Sequence, residues 1–188
     1  MKYLKTILSV SLVSLASSSF AGVSGPMLGG GMGVGIQSMT YNDNYKLYGS
    51  PSLHVFTGYQ FADFIGVEAG YTYIGQVASS ISGVSNVSST IYDIAFTPGI
   101  PIPLSPFTIY GRLGVDAVSV NYGTNWANQM FNTASTNFEL GAGVKMTIPF
   151  SRAIVRLEYV NYGASGTNGY NSLSVTPSVV ALNAAYIF

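Results

Sequence analysis

The chain has 188 residues, a length for one domain. Only 7% are charged, against about 25% in ordinary soluble domains, and Lys+Arg and Asp+Glu balance at 7 each. That excludes the basic patch a nucleic-acid binder needs, and the absence of cysteine excludes disulfides, zinc thiolates and cysteine nucleophiles.

Residues 1–21 open on Lys2 and Lys5, run through Ile7, Leu8, Val10, Leu12, Val13 and Leu15, and close on Ser19-Phe20-Ala21. This three-part pattern predicts a secretory signal peptide cut after Ala21. Its apolar run is far short of the ~20 residues of a membrane-spanning helix. Residues 22–188 then form the folded domain. Gly29-Gly30-Gly31 precedes neither a helix nor a Lys-Ser/Thr pair, so it is no phosphate loop; it reads as a flexible lead-in to the first strand.

Eight segments then alternate with a period of two, the signature of strands: residues 31–41, 52–60, 64–74, 91–100, 107–120, 136–147, 152–162 and 174–188. One face carries Met32, Val55, Val67, Ile94, Leu113, Leu140, Leu157 and Leu182. The other is rich in glycine and carries Glu68, Asp93, Arg112, Asp116, Glu139, Lys145, Arg156 and Glu158. A soluble sandwich would scatter its charges over the outside. Here they share one face with small residues, as in a crowded lumen, and leave the apolar face to lipid, where a mid-membrane Arg or Lys costs ~2–4 kcal/mol. Backbone groups in hydrocarbon have no water to bond, so such a sheet must close. The expected fold is all-β, an eight-stranded antiparallel up-and-down transmembrane β-barrel.

The connectors alternate in length. Residues 61–63, 101–106 and 148–151 are short and read as periplasmic turns. Residues 42–51, 75–90, 121–135 and 163–173 are longer, rich in Ser, Asn, Gly and Thr, and read as extracellular loops. Tyr59, Phe64, Phe107, Phe150 and Phe188 mark one aromatic girdle, and Tyr41, Tyr71, Tyr73, Tyr92, Tyr159 and Tyr162 the other.

Gly66-Val67-Glu68-Ala69-Gly70-Tyr71, Tyr110-Gly111-Arg112-Leu113-Gly114, Gly141-Ala142-Gly143-Val144 and Arg156-Leu157-Glu158-Tyr159 resemble the OmpA transmembrane domain and its small OmpX-like relatives. The resemblance covers essentially all of residues 22–188. It implies residence in the outer membrane of a Gram-negative bacterium and an interior salt-bridge network of Glu68, Asp116, Glu139 and Glu158 with Arg112, Lys145 and Arg156. It also implies that Phe188, with Tyr186 two residues before it, is the assembly signal shown to the barrel-insertion machinery. The sequence ends at Phe188, so the peptidoglycan-binding domain of full-length OmpA-type proteins is not expected.

An eight-stranded barrel is just wide enough for side chains to fill, and charges inside it must pair. The network therefore reads as a structural plug. The interior glycines leave room for water, which keeps a small-solute or ion pore, of OmpW type or narrow and OmpA-like, as the alternative. His54, the sole histidine, faces inward with no second histidine for a metal site, and Ser52 beside it does not make a triad. Neither an enzyme nor a cofactor is expected, although outer-membrane lipid hydrolases and acyltransferases share the architecture. Asp93 and Asp116 read as pairing partners rather than general acids. Trp126, Met130 and Phe131 form either a contact patch for a host-surface ligand or a rim against lipopolysaccharide. The expected role is envelope integrity with adhesion-type surface interaction through the outer loops. The expected partners are outer-membrane lipid, lipopolysaccharide and the assembly machinery, the barrel itself being a monomer.

Overall fold

The computed structural model describes residues 23–41, 44–62, 64–78, 84–124, 130–166 and 173–188; the expected signal peptide, residues 1–21, lies outside them. The strands are β1 (Gly25–Tyr41), β2 (Asn44–Ala62), β3 (Ile65–Ala78), β4 (Val84–Pro101), β5 (Phe107–Thr124), β6 (Met130–Thr147), β7 (Ala153–Asn161), β8 (Ser165–Gly166) and β9 (Leu173–Ile187). β1 to β7 pair in sequence order, β7 pairs β9, and β9 pairs β1. Every pairing is antiparallel. Eight strands thus close a barrel, and the two-residue β8 is an addition to the edge of β9.

The ladder register sets the strand tilt. Partners followed once around the wall run Pro26, Tyr59, Val67, Phe96, Leu113, Leu140, Asn161, Ser178 and return to β1 at Ile36. The path rejoins its starting strand ten residues further along, and a closed sheet with such a stagger must tilt its strands against the barrel axis. Connections after β2, β4 and β6 share one end with Gly25 and Phe188, called here the turn end. Connections after β1, β3 and β5 lie at the other, the hairpin end.

In the lower part of the wall the two faces follow the expected alternation. Met32, Leu53, Ile94, Leu113, Phe138, Leu140, Leu157 and Leu182 are exposed on the outside, while His54, Glu68, Asp93, Arg112, Glu139, Arg156 and Asn183 are buried inside.

Toward the hairpin end the polarity of the faces reverses along the same strands. Met39, Val87, Ile91, Val118, Val120 and Val175 point inward and are buried. Their neighbours Ser38, Thr40, Ser88, Thr90, Ser119, Asn121 and Thr176 point outward. On β1, β4, β5 and β9 the wall here has the apolar-in, polar-out pattern of a barrel standing in water, while on β2 Tyr45 and Leu47 stay exposed on the outside opposite Thr40 and Ser38.

Two expectations change with this. The long loops expected at residues 42–51, 75–90 and 121–135 are mostly strand, leaving only residues 42–43, 79–83 and 125–129 between β1 and β2, β3 and β4, and β5 and β6. Ser88 and Asn121 there face outward on a continuing ladder, whose backbone groups already have partners on the neighbouring strand. Gly29–Gly31 is not a flexible lead-in either: all three residues lie within β1, paired with Phe56, Val55 and His54 on one side and with Ala185, Ala184 and Asn183 on the other.

The lumen is filled in three layers. Met27, Phe56, Ile154 and Ile187 form an apolar cluster toward the turn end. Met39, Ile74, Val87, Ile91, Val118, Val120, Val160, Tyr162, Val175, Val179 and Ala181 form a larger one toward the hairpin end. The charged residues lie between them.

Candidate functional site

The middle layer is built by seven strands. β2 contributes His54, β3 Glu68, β4 Asp93, β5 Tyr110 and Arg112, β6 Glu139 and Lys145, and β7 Arg156 and Glu158; β9 adds Asn183. The register explains how such large side chains fit. Glu68 stands opposite Gly58, Asp93 opposite Gly70, Arg112 opposite Gly141, Glu139 opposite Gly114, and Glu158 opposite Gly143. Each charge points across a position that has no side chain. A Cβ on Gly70 would lie 2.8 Å from both Asp93 carboxylate oxygens and 3.0 Å from His54 Nε2, and one on Gly114 would lie 2.7 Å from Glu139 Oε1.

Arg112 is fully buried and is the hub. Its Nε donates to Glu139 Oε1 at 2.9 Å and its Nη1 to Glu68 Oε2 at 2.8 Å, while Nη2 donates to Asp93 Oδ1. Arg156 holds the other side of Glu68, with Nη1 2.5 Å from Oε1 and Nη2 2.9 Å from Oε2. Its guanidinium lies 3.9 Å above the centre of the Phe56 ring, so a cation–π contact joins the charged layer to the apolar cluster beneath it. Glu158 accepts from Tyr110 Oη and Asn183 Nδ2, each at 2.7 Å, and lies 3.5 Å from His54 Nδ1 and 3.7 Å from Arg156 Nε. Lys145 lies with its Nζ 6.0 Å from the Tyr110 ring centre. Bidentate, charge-assisted contacts of this kind fix geometry as well as energy.

Asp93 and Asp116 are direct partners across β4 and β5, where like charges repel. They turn to different neighbours. Asp93 joins Arg112, whereas Asp116 accepts from Asn137 Nδ2 at 3.2 Å and from the Gly163 amide at 3.1 Å, toward the hairpin end. The sequence grouped Asp116 with the charges around Arg112 because both lie on one face of β5. Recognising that Asp93 is the closer partner requires the β4–β5 register.

Ser52 Oγ and His54 Nε2 are both buried with no hydrogen-bond partner among the described residues, so Ser52 and His54 are not coupled as nucleophile and base. Above the charges, Thr72 Oγ1 and Tyr162 Oη lie 3.1 Å apart and Ser89 Oγ donates to Gln37 Oε1 at 3.2 Å. Below them, a cavity with room for about one water lies between Gln60, Glu68, Thr97, Tyr110, Lys145 and Arg156.

Phe188 N donates to Pro26 O at 2.8 Å, and the Phe188 ring lies 5.3 Å from Tyr186, edge to face, on the lipid side of the closing seam. Trp126 lies outside the described residues. Met130 and Phe131 begin β6, and their side chains are likewise outside what is described.

A family model described as outer membrane protein beta-barrel domain matches residues 6–188. No curated protein matches the chain. Among solved structures it is similar to Neisserial surface protein A, with 11% identity over 87% of this chain and 99% of that one and a TM-score of 0.62. It is also similar to Ail, the attachment invasion locus protein of Yersinia pestis, solved in complex with the heparin analogue sucrose octasulfate, with 16% identity, 88% and 100% coverage and a TM-score of 0.53. The N-terminal β-barrel domain of Pseudomonas aeruginosa OprF gives 9% identity, 88% and 100% coverage and a TM-score of 0.52. At these identities the likeness is one of fold.

Proposed function

Because this chain belongs to the outer membrane protein β-barrel domain family, we propose that it is a filled, non-conducting barrel that displays an ordered surface for contact outside the cell. The reversal of face polarity carries this reading. Above the lipid-facing band, inward Val118 and Val120 and outward Ser119 and Asn121 make the upper wall a water-facing platform, and the hairpin connections are its tips. The layered lumen supports the non-conducting part, since an ion would have to pass two apolar clusters and the Arg112 and Arg156 ion pairs between them.

The chemistry of the platform favours an uncharged partner. In sequence, residues 75–90, 121–135 and 163–173 contain no Lys, Arg, Asp or Glu, and the first hairpin adds only Asp43 and Lys46. Ail has been solved with a sulfated heparin analogue, but a polyanion of that kind calls for clustered cations, which these tips do not supply. Their Asn, Ser, Thr, Gly and Tyr instead suit hydrogen bonding and stacking against neutral glycan or protein surface. Lipopolysaccharide around the wall, delivery by the barrel-assembly machinery and a monomeric state complete the reading.

The test is adhesion of cells displaying the chain to glycan and matrix-protein arrays at low and at molar salt. Binding that survives salt and disappears when residues 79–83 and 125–129 are replaced by Gly-Ser links, with the barrel still folded by gel shift, is expected. Steady single-channel currents from the purified protein, together with unchanged adhesion of the loop variants, would instead establish a pore.

A further inference from the structure

Two connections at the turn end repeat one sequence and one geometry. β4 passes into β5 through Ile102-Pro103-Leu104-Ser105, and β6 into β7 through Ile148-Pro149-Phe150-Ser151. In both, the Ser amide donates to the Ile carbonyl at 3.2 Å. The Ser hydroxyl donates to the same carbonyl, at 3.1 Å in the first turn and 3.0 Å in the second. The same Oγ accepts from the amide two residues on, Phe107 N at 3.2 Å or Ala153 N at 3.1 Å.

Pro holds the second position of each turn, and the third position has φ of 60° at Leu104 and 61° at Phe150. Proline followed by a left-handed residue is the type II arrangement, which calls for Gly or Asn at that third place. A side chain with a Cβ is strained there, and these are the only non-glycine residues with positive φ among those described. Both side chains are also fully exposed, at 109% and 110%. Chain reversal alone would be served better by glycine. Twice, then, the chain accepts backbone strain and in return aims a large apolar side chain straight out from the turn end.

What covers these tips is indicated by their surroundings. The Leu104 tip continues the outward apolar wall, in which Ile100, Ile102, Phe107 and Ile109 are exposed, and no charged residue occurs between Asp93 and Arg112. Arg152 is exposed two residues after Phe150, where a cation can reach lipid phosphate while its stem stays on apolar surface. We propose that Leu104 and Phe150 are paired anchors inserted into the phospholipid leaflet at the turn end, so that both turns sit at the headgroup–acyl boundary and not in the periplasm. The anchors fix the depth of the barrel from below, independently of what the hairpin end contacts.

The chain lacks cysteine, so single nitroxide labels can be placed cleanly. Leu104→Cys, Phe150→Cys and the water-facing control Ser119→Cys, folded into vesicles of phosphatidylethanolamine and phosphatidylglycerol, are compared for collision with oxygen and with a water-soluble nickel chelate. Labels at positions 104 and 150 are expected to favour oxygen, and the label at 119 the chelate. Chelate access at 104 and 150 overturns the proposal, as does protection that appears only in native outer-membrane fragments, which would assign the tips to a protein partner. A second variant covers the case in which labelling prevents folding. Leu104→Asn with Phe150→Asn relieves the left-handed strain, so tips in water predict a raised urea midpoint in vesicles, whereas lipid anchors predict a lowered one. An unchanged or raised midpoint overturns the anchor.

Discussion

Arg112 and Glu68 meet in the middle of the lumen, Nη1 to Oε2 at 2.8 Å, and the same carboxylate receives both terminal nitrogens of Arg156. Glu68 therefore bridges two buried guanidinium groups. Glu68→Gln keeps the shape and removes the charge, and breaking such a buried pair from one side costs about 3–5 kcal/mol. Urea unfolding in vesicles is expected to show that loss. The double change Glu68→Met with Arg112→Met is expected to cost less than the sum of its single changes, because it leaves fewer uncompensated charges behind. Additive losses would mean that the two residues are not coupled.

The glycines opposite the charges supply the second expectation. Gly70→Ala places a methyl group 2.8 Å from both Asp93 oxygens and forces that carboxylate off Arg112, at about 1–3 kcal/mol for overpacking. Gly111 is the control: it lies on the outward face beside Arg112, and its nearest neighbour to an added Cβ is 3.9 Å away. Gly111→Ala is expected to be neutral or to stabilise by about 0.4–1 kcal/mol through the unfolded chain. Equal losses at the two positions would remove the argument that these glycines make room for charge.

Alternation made the lower half of the barrel legible in the sequence. Leu113 and Val115 against Arg112 and Asp116 are enough to separate a lipid face from a lumen face, and each charge found on the inner face in sequence is buried there. The upper half was hidden by the same rule. When Val87 becomes an inner residue and Ser88 an outer one, a reader who equates apolar with outward loses phase and reads residues 75–90 as a loop. The partners within the charged layer were hidden for a different reason. That Glu139 faces Gly114 and Asp93 faces Gly70 depends on register between strands, and periodicity within a strand carries no information about it. The repeated Ile-Pro-apolar-Ser turns were present in the sequence as a pattern, but the strain that gives them meaning appears only with φ.

The reversed upper wall predicts opposite tolerance at adjacent residues. Val118 is fully buried among Met39, Ile91 and Val160, so Val118→Asp puts an unpaired carboxylate into an apolar cluster. It is expected to abolish folding or to cost more than about 3 kcal/mol. Ser119→Asp, one residue on and facing out, should stay within about 0.5 kcal/mol. If residues 118–121 were loop, the two changes would be equivalent. Proteolysis of intact cells offers a second readout: a continuous ladder at this height should resist cleavage throughout residues 118–121.

Where the lipid ends on the outside of the wall follows from the same reversal, and it can be measured along β6. Val144 is exposed within the outward apolar band, whereas Thr136, also outward on β6, lies eight residues nearer the hairpin end, just below the point at which the outward residues of β5 become Ser119 and Asn121. An arginine facing lipid costs about 2–4 kcal/mol at the bilayer midplane and about 0–1 kcal/mol near the interface. Val144→Arg is therefore expected to lose several-fold more stability in vesicles than Thr136→Arg. A boundary placed wrongly would show as comparable losses at both positions, and it would return the residues above Phe138 to the membrane. The wall would then have no water-facing platform, and any surface contact would rest on the short tips alone.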